Sequence, residues 1–238
     1  MGVFFLNLAA IKIIYWPMVA KELISEVIPL LRTSDTGQKA LNWMEIFRIS
    51  HLPIVNNQEL LGLISDTDIY DINDPQQPVG NHKLSLFKPF VKLDQHIFDI
   101  ISLASKLKLS VVPVLDEKNF FKGVILVNDL IDKIAEMSSI KEQGGIIILE
   151  LLQSDYSLSQ IAQIVESNNA KVLNLYVSSP PDSTRLEVTI KLNTSNLAPI
   201  IRTFERFDYQ ITAWHSEDDE MDRFYSDRFD SFMCYLDV

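Results

Sequence analysis

Several residue types that mark common classes of protein are scarce in this sequence. One cysteine, Cys234, occurs among 238 residues, so a single chain can form neither a disulfide nor a metal site of several thiolates. The formal net charge is −11, and the sequence has no basic stripe of the kind that a nucleic-acid surface needs. The composition therefore argues against a nucleic-acid-binding protein and fits a cytoplasmic one.

Signatures of catalysis are missing as well. The sequence contains no Walker A loop, dinucleotide-binding glycine fingerprint, nucleophile elbow or metalloprotease helix. The histidines lack the spacing of zinc ligands. They are His51, His82, His96 and His215. We therefore expect no enzymatic activity, no required cofactor and no metal site.

Glycine is scarce as well, with seven in the chain and none after Gly145. Two glycines open related segments, because GLISDTD at 62–68 returns 61 residues later as GVILVND at 123–129. In the first copy Ser65 is placed to cap a helix that follows an apolar strand, with Asp68 in its first turn. A hydroxyl and a carboxylate beside free backbone N–H groups suit a ribose phosphate. The same Ser-x-x-Asp pattern is also an ordinary capping box.

The flanking sequence repeats at nearly the same period, which indicates two copies of one supersecondary unit. Asp35 returns as Asp94, and LPIV at 52–55 returns as VPVL at 112–115. An amphipathic helix precedes the Pro-containing strand in each copy. Its apolar face comprises Ala40, Leu41, Met44 and Phe47 in the first copy and Ile97, Ile100, Ile101, Ala104 and Leu107 in the second. We predict the order β-α-β-β-α for both copies.

This order, with an apolar-Pro-apolar strand and a Gly-to-Asp helix start, resembles the cystathionine-β-synthase (CBS) domain, and the two copies together resemble a Bateman module. The resemblance covers residues 18–140. It implies a regulatory site for an adenosyl nucleotide in the cleft between the copies, with no chemistry performed on the ligand.

Carried over residue by residue, the resemblance makes Asp68 and Asp129 ribose ligands and Ser65 a phosphate contact. Four further residues become base-side or cleft-wall positions, namely His51, Leu52, Ser110 and Val112. One position departs from the family pattern, since Leu126 stands where the second copy should offer Ser or Thr. We therefore expect two unequal sites, with the better one built around Ser65 and Asp68.

An acidic protein that binds a phosphate must supply cations locally. The candidates lie just before the two Pro-containing strands: Arg48 and His51 in the first copy, and Lys106 and Lys108 in the second. Taken singly, each of them is better interpreted as the solvated end of an amphipathic helix, and only their recurrence in both copies favours a phosphate contact.

From Ile146 the pattern changes to the order β-α-β-β-α-β, with strands expected at 146–152, 171–177, 185–192 and 209–214. This ferredoxin-like order resembles the ACT domain, and a CBS pair followed by an ACT domain is the arrangement of acetoin-utilisation-type proteins. The ACT amino-acid site uses a glycine in the loop after the first strand, whereas residues 154–157 read SDYS here. We therefore expect this domain to act chiefly as a dimerising scaffold.

The predicted fold is a mixed α+β and α/β chain of five segments. They are an apolar N-terminal extension (1–17), a first CBS domain (18–75), a second CBS domain (82–140), an ACT-like domain (144–215) and an acidic connector with a C-terminal helix (216–238). The extension is shorter than the roughly 20 residues of a membrane-spanning helix. We expect Met18 to be the initiator, with a short hydrophobic anchor as the alternative.

Besides an enzyme with an unrecognised site, two functions are left open by the sequence. The first is a cytoplasmic, homodimeric sensor that binds AMP, ADP, ATP or S-adenosylmethionine in its CBS pair and relays its state through the ACT-like domain to an unidentified protein target. The alternative is a ligand-free dimeric adaptor with a degenerate CBS pair. Leu126, the missing loop glycine and the acidic balance favour the alternative.

Overall fold

The computed structural model describes residues 18–71, 74–81, 88–179 and 184–216. The chain divides into two units, residues 1–133 and 134–238. Each unit has a hydrophobic core of its own. The N-terminal extension predicted at 1–17 and the C-terminal helix predicted within 216–238 lie outside the described residues, apart from Ser216. None of the helices in the described ranges is long and apolar enough to cross a membrane.

The first unit contains the predicted repeat, apart from residues 134–137 at the end of its last helix. Its first copy comprises α1 (Gly37–Phe47), β1 (His51–Asn56), β2 (Glu59–Ser65) and α2 (Asp66–Tyr70). Its second copy comprises β3 (Val91–Lys92), α3 (Ile97–Leu107), β4 (Val111–Leu115), β5 (Phe121–Leu126) and α4 (Val127–Met137). The order β-α-β-β-α is complete in the second copy, whereas the opening strand of the first copy is reduced to one parallel bridge between Leu31 and Ile54.

The two copies also share irregularities of the backbone. A bulge interrupts the β1–β2 ladder between Ile54 and Val55, and another interrupts the β4–β5 ladder between Val114 and Leu115. Bulges bend a strand at a chosen point. Their recurrence at matching positions shows that the repeat extends to local geometry.

The segment that precedes the first copy bonds to the second copy. The backbone N–H of Ala20 donates to the carbonyl of Gln95 at 2.9 Å, and that of Ile97 donates to the carbonyl of Met18 at 2.7 Å. Further along, the Ser25 N–H donates to the Val124 carbonyl at 2.8 Å. The two copies are therefore interleaved, because the segment that leads into copy one completes the hydrogen bonding of copy two.

The second unit has the predicted ferredoxin-like order. It comprises β6 (Gly145–Leu152), α5 (Leu158–Ser167), β7 (Val172–Ser178), β8 (Arg185–Leu192), α6 (Ala198–Arg206) and β9 (Gln210–Ser216). The strands form an antiparallel sheet in the order β7-β8-β6-β9. Along β6, buried residues alternate with half-buried ones, as expected of an antiparallel sheet with helices on one face only.

Candidate functional site

The helix start predicted at Ser65 forms a complete capping box. The Asp68 backbone N–H donates to Ser65 Oγ at 3.1 Å, and the Ser65 backbone N–H donates to Asp68 Oδ2 at 2.8 Å. The Ser65 hydroxyl also donates to Asp68 Oδ2 at 2.7 Å. The two predicted ligand residues are therefore brought together, in the pairing that the ordinary capping interpretation requires.

This capping box uses only one oxygen of the Asp68 carboxylate. Both hydrogen bonds that the carboxylate accepts go to Oδ2, so Oδ1 accepts no hydrogen bond from the described residues. The Asp68 side chain lies on the surface, in the first turn of a helix of five residues. One carboxylate oxygen thus stays available to accept hydroxyl groups.

The two copies meet through His51 and a pair of serines. The backbone N–H of Ser50 donates to Ser110 Oγ at 3.0 Å, and the backbone N–H of Ser110 donates to His51 Nδ1 at 3.3 Å. The Ser50 and Ser110 hydroxyls lie 3.0 and 3.1 Å from the same Nδ1. Because Nδ1 accepts from a backbone N–H, His51 is neutral in this arrangement and carries its proton on Nε2.

The surroundings of His51 favour this neutral form. Burial lowers the pKa of His51 below its ordinary 6.5, while the carboxylates of Asp66 and Asp68 act in the opposite direction. His51 also lies opposite Ser65 in the β1–β2 ladder. One imidazole therefore stands next to the Ser65–Asp68 box and bonds to the other copy.

Ser50 was not singled out in the sequence, although a signal for it exists. Ser50 and Ser110 each stand three residues before the proline of their strand, Pro53 or Pro113. Their carbonyls accept from equivalent donors, the N–H groups of Asp66 and Val127, both at 3.1 Å. Matching the copies by their prolines would have paired the two serines.

The helix start of the second copy lacks the capping hydroxyl of the first. Asp129 lies exposed in the first turn of α4, and the residue before the helix, Leu126, has no hydroxyl to cap it. The two helix starts therefore differ in the hydroxyl that Ser65 supplies and Leu126 lacks, and the expected inequality of two ligand sites stays a prediction.

Two predicted cleft-wall residues are core residues. Leu52 and Val112 are both fully buried and pack within the first unit's hydrophobic cluster. Their side chains contact protein on all sides, so a ligand could meet these positions only through their backbone.

The predicted cations have positions that explain their recurrence without a ligand. Arg48 and Lys108 end α1 and α3 in the left-handed conformation, with φ of 53° and 54°, and Lys106 lies in the last turn of α3. All three side chains are exposed, and none forms an ion pair within the described residues. Cations at helix C-termini are favoured by the helix dipole.

The repeat has a counterpart among known families. A family model for the CBS domain matches residues 20–73 and, a second time, residues 87–136. The chain carries a tandem pair of CBS domains. The elements of this pair are those of the first unit, and the predicted helix starts at Ser65 and Leu126 lie one in each CBS domain.

Several known proteins are similar to part of this chain. Inosine-5'-monophosphate dehydrogenase of Methanocaldococcus jannaschii is 23% identical over 151 residues, which cover 62% of this chain and 30% of that enzyme. The chain therefore spans only a minor part of that relative's length. A CBS domain pair/ACT domain protein from Thermotoga maritima is 23% identical with a TM-score of 0.45, over 50% of this chain and 98% of that one. CBSX2 in complex with AMP is 14% identical with a TM-score of 0.44, over 50% of this chain and 98% of that one.

Outside the CBS pair, the loop that follows β6 borders a cavity of about 360 Å³ in the second unit. Asp155 lines it, and Arg185 Nη1 lies 2.6 Å from Glu150 Oε1. The Tyr209 hydroxyl donates to Gln160 Oε1 at 3.1 Å, and burial, aided by the Asp155 charge, raises the pKa of Tyr209. The guanidinium at this cavity is thus already held by a carboxylate.

Among the described residues, no three His, Cys, Asp or Glu side chains converge where an ion could be held.

Proposed function

We propose that the CBS pair binds an adenosyl nucleotide of the AMP, ADP or ATP class beside His51, Ser65 and Asp68, and that the protein is a regulatory sensor. The observation that carries this proposal is the position of His51, which pairs with Ser65 in its own copy and bonds to Ser110 of the other. A ligand held by Asp68 would therefore lie next to the contact between the two copies.

Each group is assigned a contact that its unused hydrogen-bonding atoms can make. Asp68 Oδ1 accepts from the ribose hydroxyls, since Oδ2 is occupied by the helix cap. The neutral His51 ring offers Nε2–H as a donor. A ligand changes the balance between two arrangements of the copies only by its difference in affinity for them, and the hydrogen bonds around Nδ1 are where such a difference would arise.

The remaining parts of the proposal concern the rest of the chain. The second unit acts as an ACT-like module that holds two copies of the chain together, and an unidentified protein target in the cytoplasm responds to the state of the CBS pair. S-adenosylmethionine is the further adenosyl candidate.

The test is isothermal titration calorimetry of the full chain with AMP, ADP, ATP and S-adenosylmethionine. Asp68→Asn removes the charge but keeps a side-chain oxygen for the cap, and it should weaken binding by at least about tenfold, because hydrogen bonds to a charged group are the stronger ones. Asp129→Asn makes the same change at the equivalent place in the second copy and should alter affinity by less than about threefold.

Three results would contradict the proposal in different ways. Equal losses of affinity in Asp68→Asn and Asp129→Asn would show that the ligand uses both copies alike, against the unequal sites expected from Leu126. Unchanged binding in Asp68→Asn would remove the ribose assignment. If the wild type binds none of the four compounds yet is dimeric by analytical ultracentrifugation, the ligand-free adaptor is the better account.

A further inference from the structure

The sheet of the second unit has a face that α5 and α6 do not cover. Two rows of side chains cross this face, because paired residues on neighbouring strands point to the same side. One row runs from Asn174 through Lys191 to Ile146, and the next runs from Tyr176 through Thr189 to Ile148. On this face β8 thus presents two polar residues, β6 presents two isoleucines, and β7 presents an asparagine and a tyrosine.

Apart from Ile148, the residues of these rows line a cavity of about 280 Å³. Its polar lining residues are Thr189, Lys191, Asn174 and Ser138, and its apolar lining is formed by Ile146, Ile140 and the ring of Tyr176. The volume lies near the lower end of small-molecule sites. The cavity therefore suits a small ligand that carries both a polar group and an apolar body.

The decisive feature is the hydroxyl of Thr189. Two polar residues are buried in the described ranges, Thr189 at 5% exposure and Ser216 at 7%. Ser216 Oγ donates to the Ser195 carbonyl at 2.8 Å. The Thr189 hydroxyl makes no hydrogen bond with any described residue. Buried polar groups normally have partners, so an unpartnered hydroxyl in a cavity wall indicates that something else supplies one.

The charge around the cavity defines the kind of partner. Lys191 forms no ion pair within the described residues, and no carboxylate is among the lining side chains. An ammonium, a hydroxyl and an amide stand on adjacent strand positions, which together can hold both oxygens of one carboxylate. A ligand with its own ammonium group would find no charged partner here.

We propose that this cavity binds a small organic monocarboxylate with an apolar body and without an amino group. Lys191 Nζ pairs with the carboxylate, the Thr189 hydroxyl and the Asn174 amide donate to its oxygens, and the apolar body packs on Ile146, Ile140 and Tyr176. The proposal does not depend on the nucleotide site, because every residue it uses lies in the second unit.

Calorimetry and NMR titration of the full chain test this with three compounds that differ by one group. 4-Methylpentanoate should bind saturably, with shifts at the amides of Thr189 and Tyr176. 4-Methylpentanamide lacks the charge and leucine adds an ammonium, so each should bind at least about tenfold more weakly. Saturable binding of all three with equal affinity, or of none of them, would overturn the proposal.

Two variants test the roles of the polar groups. Lys191→Met keeps the apolar stem and should lose at least about tenfold in affinity for 4-methylpentanoate, whereas Lys171→Met, at an exposed lysine outside the cavity lining, should not. Thr189→Val replaces the hydroxyl with a methyl group of similar size. It should weaken binding while raising the melting temperature of the free protein, because an unpartnered buried hydroxyl is removed. A lowered melting temperature with unchanged binding would show that the hydroxyl has another partner, and the proposal would fail.

Discussion

At the scale of single residues, His51 is a position where the gain of one proton affects several hydrogen bonds at once. Its Nδ1 accepts from the Ser110 N–H and lies near two hydroxyls. A proton on Nδ1 would point at the Ser110 N–H, so two hydrogen-bond donors would face each other without an acceptor. Burial lowers the pKa of His51 in the folded chain, so we expect the contact between the CBS copies to depend on pH.

The sign of this dependence follows from linkage. With a lowered pKa, folded His51 stays neutral at pH values where the unfolded chain already takes up a proton. Its contribution to stability is complete above about pH 6.5 and declines as the pH falls from there towards the lowered pKa. We expect the unfolding free energy of the first unit to fall on acidification, by at most about 1.4 kcal/mol per pH unit for one proton. Urea unfolding at a series of pH values, followed by Trp43 fluorescence, measures it.

A variant at the same position isolates the effect. His51→Asn places an acceptor oxygen near the position of Nδ1 but does not titrate in this range. Its stability should therefore depend less steeply on pH than that of the wild type. A slope identical to the wild type would assign the pH dependence to other groups.

Side-chain chemistry in the sequence does not reveal where the backbone decides a position. Arg48 and Lys108 recur as basic residues, and this recurrence suggested a phosphate site. The structure adds that both end a helix in the left-handed conformation, while their role towards a phosphate stays a prediction. Ser65 and Asp68 were recognised because a capping box is local in sequence, whereas the Ser50–Ser110 contact spans 60 residues.

At the scale of elements, Gly144 controls the entry into β6. Its φ is 151°, and a Cβ there would lie 1.9 Å from the Leu192 carbonyl oxygen. A backbone carbonyl at the end of β8 has little room to move. Gly144→Ala should therefore destabilise the second unit by about 3 kcal/mol or more, through strain and clash together.

The adjacent glycine supplies the matched control. A Cβ at Gly145 would meet only the Leu197 side chain, at 2.6 Å, and a side chain can rotate. Gly145→Ala should cost clearly less than Gly144→Ala when urea unfolding is followed by the fluorescence of Trp214, which lies in β9. If both variants lower the free energy of unfolding equally, the backbone carbonyl of Leu192 moves away from a new Cβ as easily as the Leu197 side chain does.

Elements with a strong local pattern were predicted well, and those set by distant contacts were not. The bounds of β8 at 185–192 were predicted to the residue, since alternation and a flanking turn define such a strand. A full opening strand was predicted for the first copy, but the structure has only an isolated bridge at Leu31. The bonding of residues 18–25 to the second copy depends on interleaving, for which periodicity offers no signal.

At the scale of the whole molecule, the two hydrophobic clusters share no residue. One takes its buried members from Ala20 to Leu130 and the other from Ile147 to Phe204. A core of its own allows each unit to unfold as a separate cooperative step. Each unit also contains one described tryptophan, Trp43 or Trp214, so variants that keep one tryptophan and replace the others with Phe would report each step separately.

We therefore expect two thermal transitions that respond to different ligands. At a hundredfold excess over its dissociation constant, a ligand adds about 2.7 kcal/mol to the unit that binds it, or roughly 10 °C for a unit of about 100 residues. The nucleotide should raise the Trp43 transition and leave the Trp214 transition in place, while 4-methylpentanoate should do the reverse. If both probes report one coincident transition that either ligand raises, the units unfold as a single cooperative body. A nucleotide that raised only the Trp214 transition would instead assign its site to the second unit, against the proposed role of Asp68.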